Sequence, residues 1–137
     1  KILFDEDYKA EPISKSNVSE LLKFSENYSG DLNFLGKELN QEFGEKLNNP
    51  SHLNRLSGIY LRNNKINYAI IITELNTQLF PDDGNVWDTM GDVYLAAKQN
   101  EKAIYSYKKA LEFKPKNDDC FWCENSSSQL KNLERKK

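Results

Sequence analysis

The stretch WDTMGDVYLAAKQNEKAIYSYKKALEFKP, from Trp87 to Pro115, decides the fold of this chain. Its first half carries large residues and one glycine at helical spacing, and its second half carries two alanines around a tyrosine. At about 100° per residue these side chains fall on one stripe of each helix, so the two stripes face each other. Two helices that approach closely cannot both carry large side chains where they cross, which explains the small residues Gly91, Ala103 and Ala110. The stretch therefore predicts a tight helical hairpin that ends at Pro115.

The same residues resemble the tetratricopeptide repeat (TPR), a helix–turn–helix unit of about 34 residues with the pattern W-x2-L-G-x2-Y, then A-x3-F, then P. Eight positions carry the resemblance: Trp87, Met90, Gly91, Tyr94, Ala103, Tyr107, Ala110 and Pro115. Met90 and Tyr107 depart from the pattern, but both keep a bulky apolar body. The resemblance implies an all-α fold in which helix pairs stack in a right-handed array.

A weaker copy of the pattern lies one repeat length, about 34 residues, earlier in the chain. The positions that keep their size class are Leu53, Leu56, Ser57, Tyr60, Ala69 and Pro81. Thr73 and Asn76 stand where the later copy has Tyr107 and Ala110, which weakens the match of the second helix. The earlier segment is therefore interpreted as a degenerate repeat.

The other segments are expected to complete one domain of seven helices without a sheet. Asn17 with Glu20, then Asp31, and finally Asn117 with Asp118 are the residues expected to cap further helices. The last of these helices is expected to run through Cys120 to the end of the chain and to cap the stack. The predicted boundaries are 1–15 for an arm or linker and 16–137 for the helical-repeat domain, divided into a hairpin (16–49), a degenerate repeat (50–83), a repeat (84–117) and a capping helix (118–137).

Composition excludes two classes of partner. The 137 residues carry 19 Lys and Arg against 21 Asp and Glu, a formal charge of -2, so a large phosphate-binding surface for nucleic acid is not expected. No apolar run approaches the 18 or so residues that a membrane span needs. The length suffices for a hydrophobic core without metals or disulfides.

Few residues suggest chemistry. The glycines frame no G-x-S-x-G serine and no phosphate-binding loop, so no catalytic residue, cofactor or metal site is expected. His52 is the sole histidine and is predicted to be a solvent-exposed residue at a helix start. Cys120 and Cys123 form a C-x-x-C motif, and two alternatives stay open: two small packing residues, which we favour, or a disulfide or redox pair. The sequence leaves their state open.

A binding groove is predicted on the first helix of each repeat, opposite the packing stripe. Its residues are Asn54, Leu61, Asn85, Asp88, Asp92 and Leu95. Such a groove is polar and mildly acidic with two leucines, and it suits a short basic or neutral segment of polypeptide. Asp88 and Asp92 would repel a C-terminal carboxylate, so a carboxylate clamp is not expected.

A more particular resemblance covers roughly residues 32–115, in the runs LGKELNQEFGEKLNNPSHLNRLSGIYL and FPDDGNVWDTMGDVYLAAKQNEKAI. These runs resemble the C-terminal tails of bacterial serine esterases of the α/β-hydrolase class, and of β-lactamase-like hydrolases. The matching positions are Leu39, Gly44, Pro50, Leu53, Asn54, Leu56, Pro81, Asn85, Asp88, Gly91 and Tyr94. Ser51 and Ser57 depart from the tails, which carry Glu and Gly there.

The resemblance implies a non-catalytic accessory domain whose parent chain supplies the catalytic serine, acid and histidine. It also implies that the partner is a hydrolase domain of the same chain and that the location is periplasmic or secreted. The alternative is a free-standing TPR adaptor that binds a short peptide in its groove. The compartment is otherwise unknown from the sequence.

Overall fold

The computed structural model describes residues 13–116 and 119–136, and these residues form seven α-helices. The helices are α1 (Ile13–Asn27), α2 (Leu35–Phe43), α3 (Pro50–Arg62), α4 (Ile66–Leu79), α5 (Gly84–Ala96), α6 (Asn100–Glu112) and α7 (Cys123–Arg135). Short 3-10 turns, Leu32–Phe34 and Gly44–Lys46, flank α2. No strand occurs in the described residues, which confirms the all-α prediction.

Helices α5 and α6 pack as the hairpin predicted from Trp87 to Pro115. Ala103, Tyr107 and Ala110 are fully buried, and Met90 and Tyr94 nearly so. A Cβ atom at Gly91 would lie 2.5 Å from the Tyr107 ring, so only glycine lets that ring reach the helix. The small residues thus set the distance between the helices, as the sequence predicts.

The α3–α4 pair repeats the backbone of α5–α6 one repeat length earlier in the chain. Asn49 and Asp83 cap the first helices, because their side chains accept hydrogen bonds from the backbone N–H groups of Ser51 and Asn85. Asn64 and Lys98, which occupy equivalent places in the two turns, both adopt positive φ angles, of 61° and 62°. The degenerate sequence therefore forms the same structural unit.

The N-terminal hairpin differs from its prediction at its first helix. Helix α1 begins at Ile13, so Asn17 lies inside the helix and is not its cap, and residues 13–15 do not belong to an arm. The rest of the predicted arm, residues 1–12, lies outside the described residues. Asp31 caps the following turn as expected, since its carboxylate accepts a hydrogen bond from the N–H of Asn33 at 3.0 Å.

A step slightly shorter than the repeat length relates α1 to α3. It places Leu21, Phe24, Ser25 and Tyr28 at the positions of Leu53, Leu56, Ser57 and Tyr60. Leu21 and Ser25 are buried like their counterparts, and Phe24 and Tyr28 pack against the core formed by the first four helices. The shorter connection hid this repeat from a comparison at the fixed repeat length.

The final helix, α7, begins at Cys123, so Cys120, through which the helix was predicted to run, lies before it. Asn117 and Asp118, the predicted caps, lie outside the described residues. Trp122 is buried directly before the helix, and a Cβ atom at Gly84 would approach its ring to 2.6 Å at Cζ2. Leu133 adds a second buried contact in a cluster with α5 and α6. Helix α7 therefore covers the last repeat as a capping helix should.

Candidate functional site

The first helices of the successive pairs lie side by side and present one common surface. Helix α3 contacts α1 and α5, and α5 contacts α7. Helices α3 and α5 each have one side on their own hairpin partner, one side on the neighbouring first helices, and one side open to solvent. Which residues occupy the second and third sides decides what a ligand can reach.

Four of the six residues predicted for the groove are packed within the fold. Asp88 is only 6% exposed, and Asn54, Leu61 and Leu95 are half-buried. Leu61 packs against the core of the first four helices, and Leu95 packs against the cluster that contains Leu133. Both leucines therefore contribute to the packing of the domain.

Asn54, on α3, is hydrogen-bonded to α4, the hairpin partner of that helix. The Nδ2 of Asn76 donates to the Oδ1 of Asn54 at 3.1 Å and to the backbone carbonyl of Pro50 at 3.0 Å. Asn76 stands where the later repeat has Ala110, so this polar bridge replaces an apolar contact. The Oδ1 atom of Asn54 is therefore engaged in a hydrogen bond within the fold.

Asp88 and Asp92 hold α7 in place. The Ser126 hydroxyl donates to Asp88 at 2.6 Å, and the amide of Asn125 donates to Asp88 at 2.9 Å and to Asp92 at 3.0 Å. Asp92 also accepts a hydrogen bond of 2.5 Å from the hydroxyl of Tyr107. Burial raises the pKa of the Asp88 carboxyl above its usual range, while the hydrogen bonds from Ser126 and Asn125 oppose that shift.

The solvent side of α3 and α5 carries a different set of residues, which we call the open face. On these two helices it consists of Ser51, Arg55, Gly58, Arg62, Asn85, Thr89, Asp92 and Ala96. Asn85 and Asp92 are the two predicted groove residues that belong to it, and both are half-buried. Exposed charged residues also occur on α1, among them Lys23 and Glu26, and on α7, among them Glu124, Lys131 and Arg135.

The predicted groove and this set share two positions of each repeat and differ by one residue at the other two. The positions two, six, nine and thirteen of each repeat face solvent, whereas the prediction took two, five, nine and twelve. A difference of one residue turns a helix by about 100°, enough to exchange the solvent side for a packed side. The exposed charges Arg55 and Arg62 were the available signal, since unpaired arginine is rarely buried.

His52 is buried, with 4% of its surface exposed, which overturns the prediction of a solvent-exposed residue. Its Nδ1 has no hydrogen-bond partner in the described part of the chain. Burial lowers the pKa of the imidazole below its usual range, and the nearby charge of Arg55 lowers it further. Val86, its counterpart in the next repeat, is also fully buried, so the position is a core position.

Cys120 and Cys123 are joined by a disulfide that closes the turn before α7. The alternative favoured from the sequence, two small packing thiols, is therefore wrong. The turn directs Trp122 inward and leaves Phe121 85% exposed. Among residues 13–116 and 119–136, no group of three His, Cys, Asp or Glu side chains is placed to hold a metal ion.

The geometry on these helices agrees with comparisons to known proteins. Residues 91–123 match the family model for the TPR repeat. The Sgt2 TPR domain from Aspergillus fumigatus is similar with a TM-score of 0.61 and 19% identity, over 91% of this chain and 79% of that one. The first TPR of Spaghetti (RPAP3), bound to the HSP90 peptide SRMEEVD, is similar with a TM-score of 0.59 and 17% identity, over 90% of this chain and 91% of that one.

The described residues thus have an all-α helical-repeat fold of the TPR type. The particular fold is that of a TPR domain built from three helix pairs and one capping helix. No curated protein matches the chain. Within the described residues no helix is both long enough and apolar enough to cross a membrane.

Proposed function

We propose that this chain is a non-catalytic protein-interaction module that binds a polypeptide segment on the open face. The observation that carries the proposal is the arrangement of four neighbouring first helices, whose solvent sides form one continuous polar surface without a covering element in the described residues. A similar fold, that of Spaghetti (RPAP3), holds a peptide of HSP90. Asn85 and Asp92 remain candidate contact residues, whereas Asp88 is covered by α7.

Peptide selection tests this proposal without assuming the chemistry of the ligand. A random peptide library is displayed and selected on the immobilised chain, and the affinities of the selected peptides are then measured for two tryptophan variants. Gly58→Trp places a bulky ring on the open face, where a side chain would first meet only the flexible Arg62. Gln41→Trp adds the same ring at an exposed position of α2 and serves as the matched control.

We expect Gly58→Trp to weaken binding at least tenfold while Gln41→Trp leaves it unchanged, because the indole occupies the surface that the peptide needs. Selected peptides that bind both variants as tightly as the unaltered chain would place the site elsewhere. A library that yields no binding peptide at all would contradict the proposed function.

The finer proposal is that the module is the C-terminal domain of a larger bacterial hydrolase and packs on or beside the hydrolase domain. It is supported by the resemblance of residues 32–115 to such tails. The disulfide between Cys120 and Cys123 fits the implied periplasmic or secreted location, because disulfides persist in oxidising compartments. The sequence of the complete gene decides between this proposal and a free-standing adaptor: a G-x-S-x-G motif upstream of residue 1 is expected, and its absence favours the adaptor.

A further inference from the structure

The first helix pair carries an aromatic cavity, which we call the end cavity. It has a volume of about 670 Å³ and is lined by α1, by the connection to α2 and by the C-terminal end of α2. Its walls include the rings of Phe24 and Phe43, which meet edge to face with centroids 5.6 Å apart. The hydroxyl of Tyr28 donates a hydrogen bond of 3.1 Å to the backbone carbonyl of Asp31, which fixes a third ring in the wall. The end cavity is therefore largely preformed.

The end cavity lies on the side of α1 that a later first helix uses for stacking. Glu20 and Asn27, which line the cavity and are exposed, stand at the repeat positions of Val86 and Val93 on α5. Both valines are buried, and Val93 packs in the core formed by the first four helices. On α5 this side is thus covered by the preceding helix pair. In the described part of the chain no helix pair precedes α1, so the same side of α1 is open.

Phe121 lies at the opposite end of the row of helices, in the turn before α7. It is 85% exposed, the largest exposure among the large apolar side chains of the described residues. The disulfide between Cys120 and Cys123 closes this turn, and the buried ring of Trp122 anchors it beside Gly84 of α5. The turn therefore holds Phe121 outward before any partner is bound, which lowers the entropy cost of binding.

The exposed ring and the end cavity of one chain are too far apart to meet. Helices α3 and α5 lie between α1 and α7 in the row. Neighbouring helix axes are about 8–10 Å apart, so the two features are separated by roughly 25–30 Å. A second copy of the chain, in contrast, can bring its own Phe121 to the cavity.

The charges around the two features are compatible with this contact. Residues 119–124 contain two carboxylates, those of Asp119 and Glu124, and no basic side chain. The rim of the end cavity carries Lys23 and Lys46 alongside two glutamates. Burial of the aromatic ring supplies the attraction, and the lysines favour the orientation in which they lie beside the carboxylates of the turn.

We propose that copies of this chain associate head to tail, with Phe121 of one copy inserted into the end cavity of the next. The inference goes beyond the proposed function and does not use the open face. Because the ring and the cavity lie on different surfaces, each dimer keeps one free ring and one free cavity, and association continues to longer assemblies. The contact is small, so the dissociation constant is expected to be on the order of 100 µM.

Sedimentation equilibrium of the full chain at rising concentration tests the inference. We expect the weight-average mass to rise from the 15.9 kDa of one chain to more than twice that value above the dissociation constant. Phe121→Ser should remove the increase, while Tyr105→Ser, which replaces another exposed ring, should not. Asn27→Trp, which places an indole in the end cavity, should also remove it. Gln41→Trp, at an exposed position outside the cavity, is the matched control.

A mixture of two variants decides whether the contact is head to tail. Phe121→Ser keeps the end cavity and Asn27→Trp keeps the exposed ring, so their equimolar mixture should form dimers and nothing larger. Each variant should retain the circular-dichroism spectrum of the unaltered chain, because the replaced side chains are exposed. Peptides selected on the open face should bind Phe121→Ser as tightly as the unaltered chain, so the proposed function and this inference fail independently.

Three results overturn the inference. The first is a mass of one chain at every concentration of the unaltered protein, including the case in which association begins only after Ile2→Ser with Phe4→Ser. That case would identify the N-terminal segment of the same chain as the occupant of the end cavity. The second is association that survives Phe121→Ser or is lost equally in Tyr105→Ser. The third is a mixture of Phe121→Ser and Asn27→Trp that stays at the mass of one chain.

Discussion

The two central helix pairs, α3–α4 and α5–α6, have the same backbone arrangement but differ in the side chains that fill the space between their helices. In α5–α6 the side chain that fills the space between the helices comes from α6 alone, because Tyr107 packs on the backbone of Gly91, which has no side chain. In α3–α4 the corresponding residues are Ser57 and Thr73, both fully buried, so each helix contributes a small side chain. The comparison teaches that the same place between two helices can be filled either by one large side chain against a glycine or by two small side chains.

The two pairs also differ in how well their buried polar groups are paired. His52, Ser57, Thr73 and Asn76 of the earlier pair each have a buried side-chain atom without a partner in the described residues. In the later pair the buried Asp88 is paired with Ser126 and Asn125. An unpaired buried polar group costs about 1–3 kcal/mol, so the degenerate pair is expected to be the less stable unit.

The largest change in stability is expected when Gly91 and Tyr107 are replaced by Ser and Thr, the residues at the corresponding positions of the earlier repeat. Gly91→Ser places a side chain against the Tyr107 ring and should cost about 2–3 kcal/mol of unfolding free energy. Tyr107→Thr leaves a cavity and should cost about 3–4 kcal/mol. The double variant should be destabilised by at least about 1 kcal/mol less than the sum, as measured by urea unfolding followed by circular dichroism.

Gly58→Ala is the control for the glycine exchange, because its Cβ would meet only the flexible Arg62. It should stabilise the domain by about 0.5–1 kcal/mol through helix propensity. Strict additivity of Gly91→Ser and Tyr107→Thr would show that the two residues do not share one volume.

A medium effect is expected where α7 docks on α5. Ser126→Ala removes the hydrogen bond of 2.6 Å to the buried carboxylate of Asp88 and should cost about 2 kcal/mol. Hydrogen exchange should then rise in α7 before it rises in α3. Ser128→Ala, at an exposed position of the same helix, should change neither quantity. Uniform loosening of all seven helices would show that α7 and the repeats unfold as one unit.

The smallest effect is expected for His52→Val, which introduces the residue that the later repeat carries at this position. The variant removes an unpaired buried nitrogen and should raise stability by about 1 kcal/mol at pH 7. Because burial lowers the pKa of His52 in the folded state, the unfolded chain binds the proton more readily. The stability of the unaltered chain should therefore fall, relative to His52→Val, as the pH falls below the ordinary value of 6.5.

Thermal melts of both proteins between pH 5 and pH 8 measure this difference. A gap between the two proteins that stays constant over that range would mean that His52 titrates alike in the folded and unfolded states. The prediction concerns the packing of α3 against its neighbours.

The helix pairs were predictable because their signal is local. Gly91, Ala103 and Ala110 act within one hairpin, where helical spacing translates directly into contact. The site was less predictable. On α5 the predicted groove residues Asn85 and Asp92 are half-buried, whereas Asp88 is covered by α7. The sequence did not indicate this burial, since a carboxylate is expected in solvent until a neighbour such as Ser126 is known to cover it.

The sequence by itself determined the helical class, the length of the repeating unit and the close packing of α5 on α6, because periodicity and small residues act between neighbours in the chain. Only the tertiary structure decided that α7 covers Asp88, that His52 is buried and that Arg55 and Arg62 remain on the open face. These facts depend on the angle at which one helix pair meets the next. That angle results from the packing of residues distant in sequence, which no local pattern records.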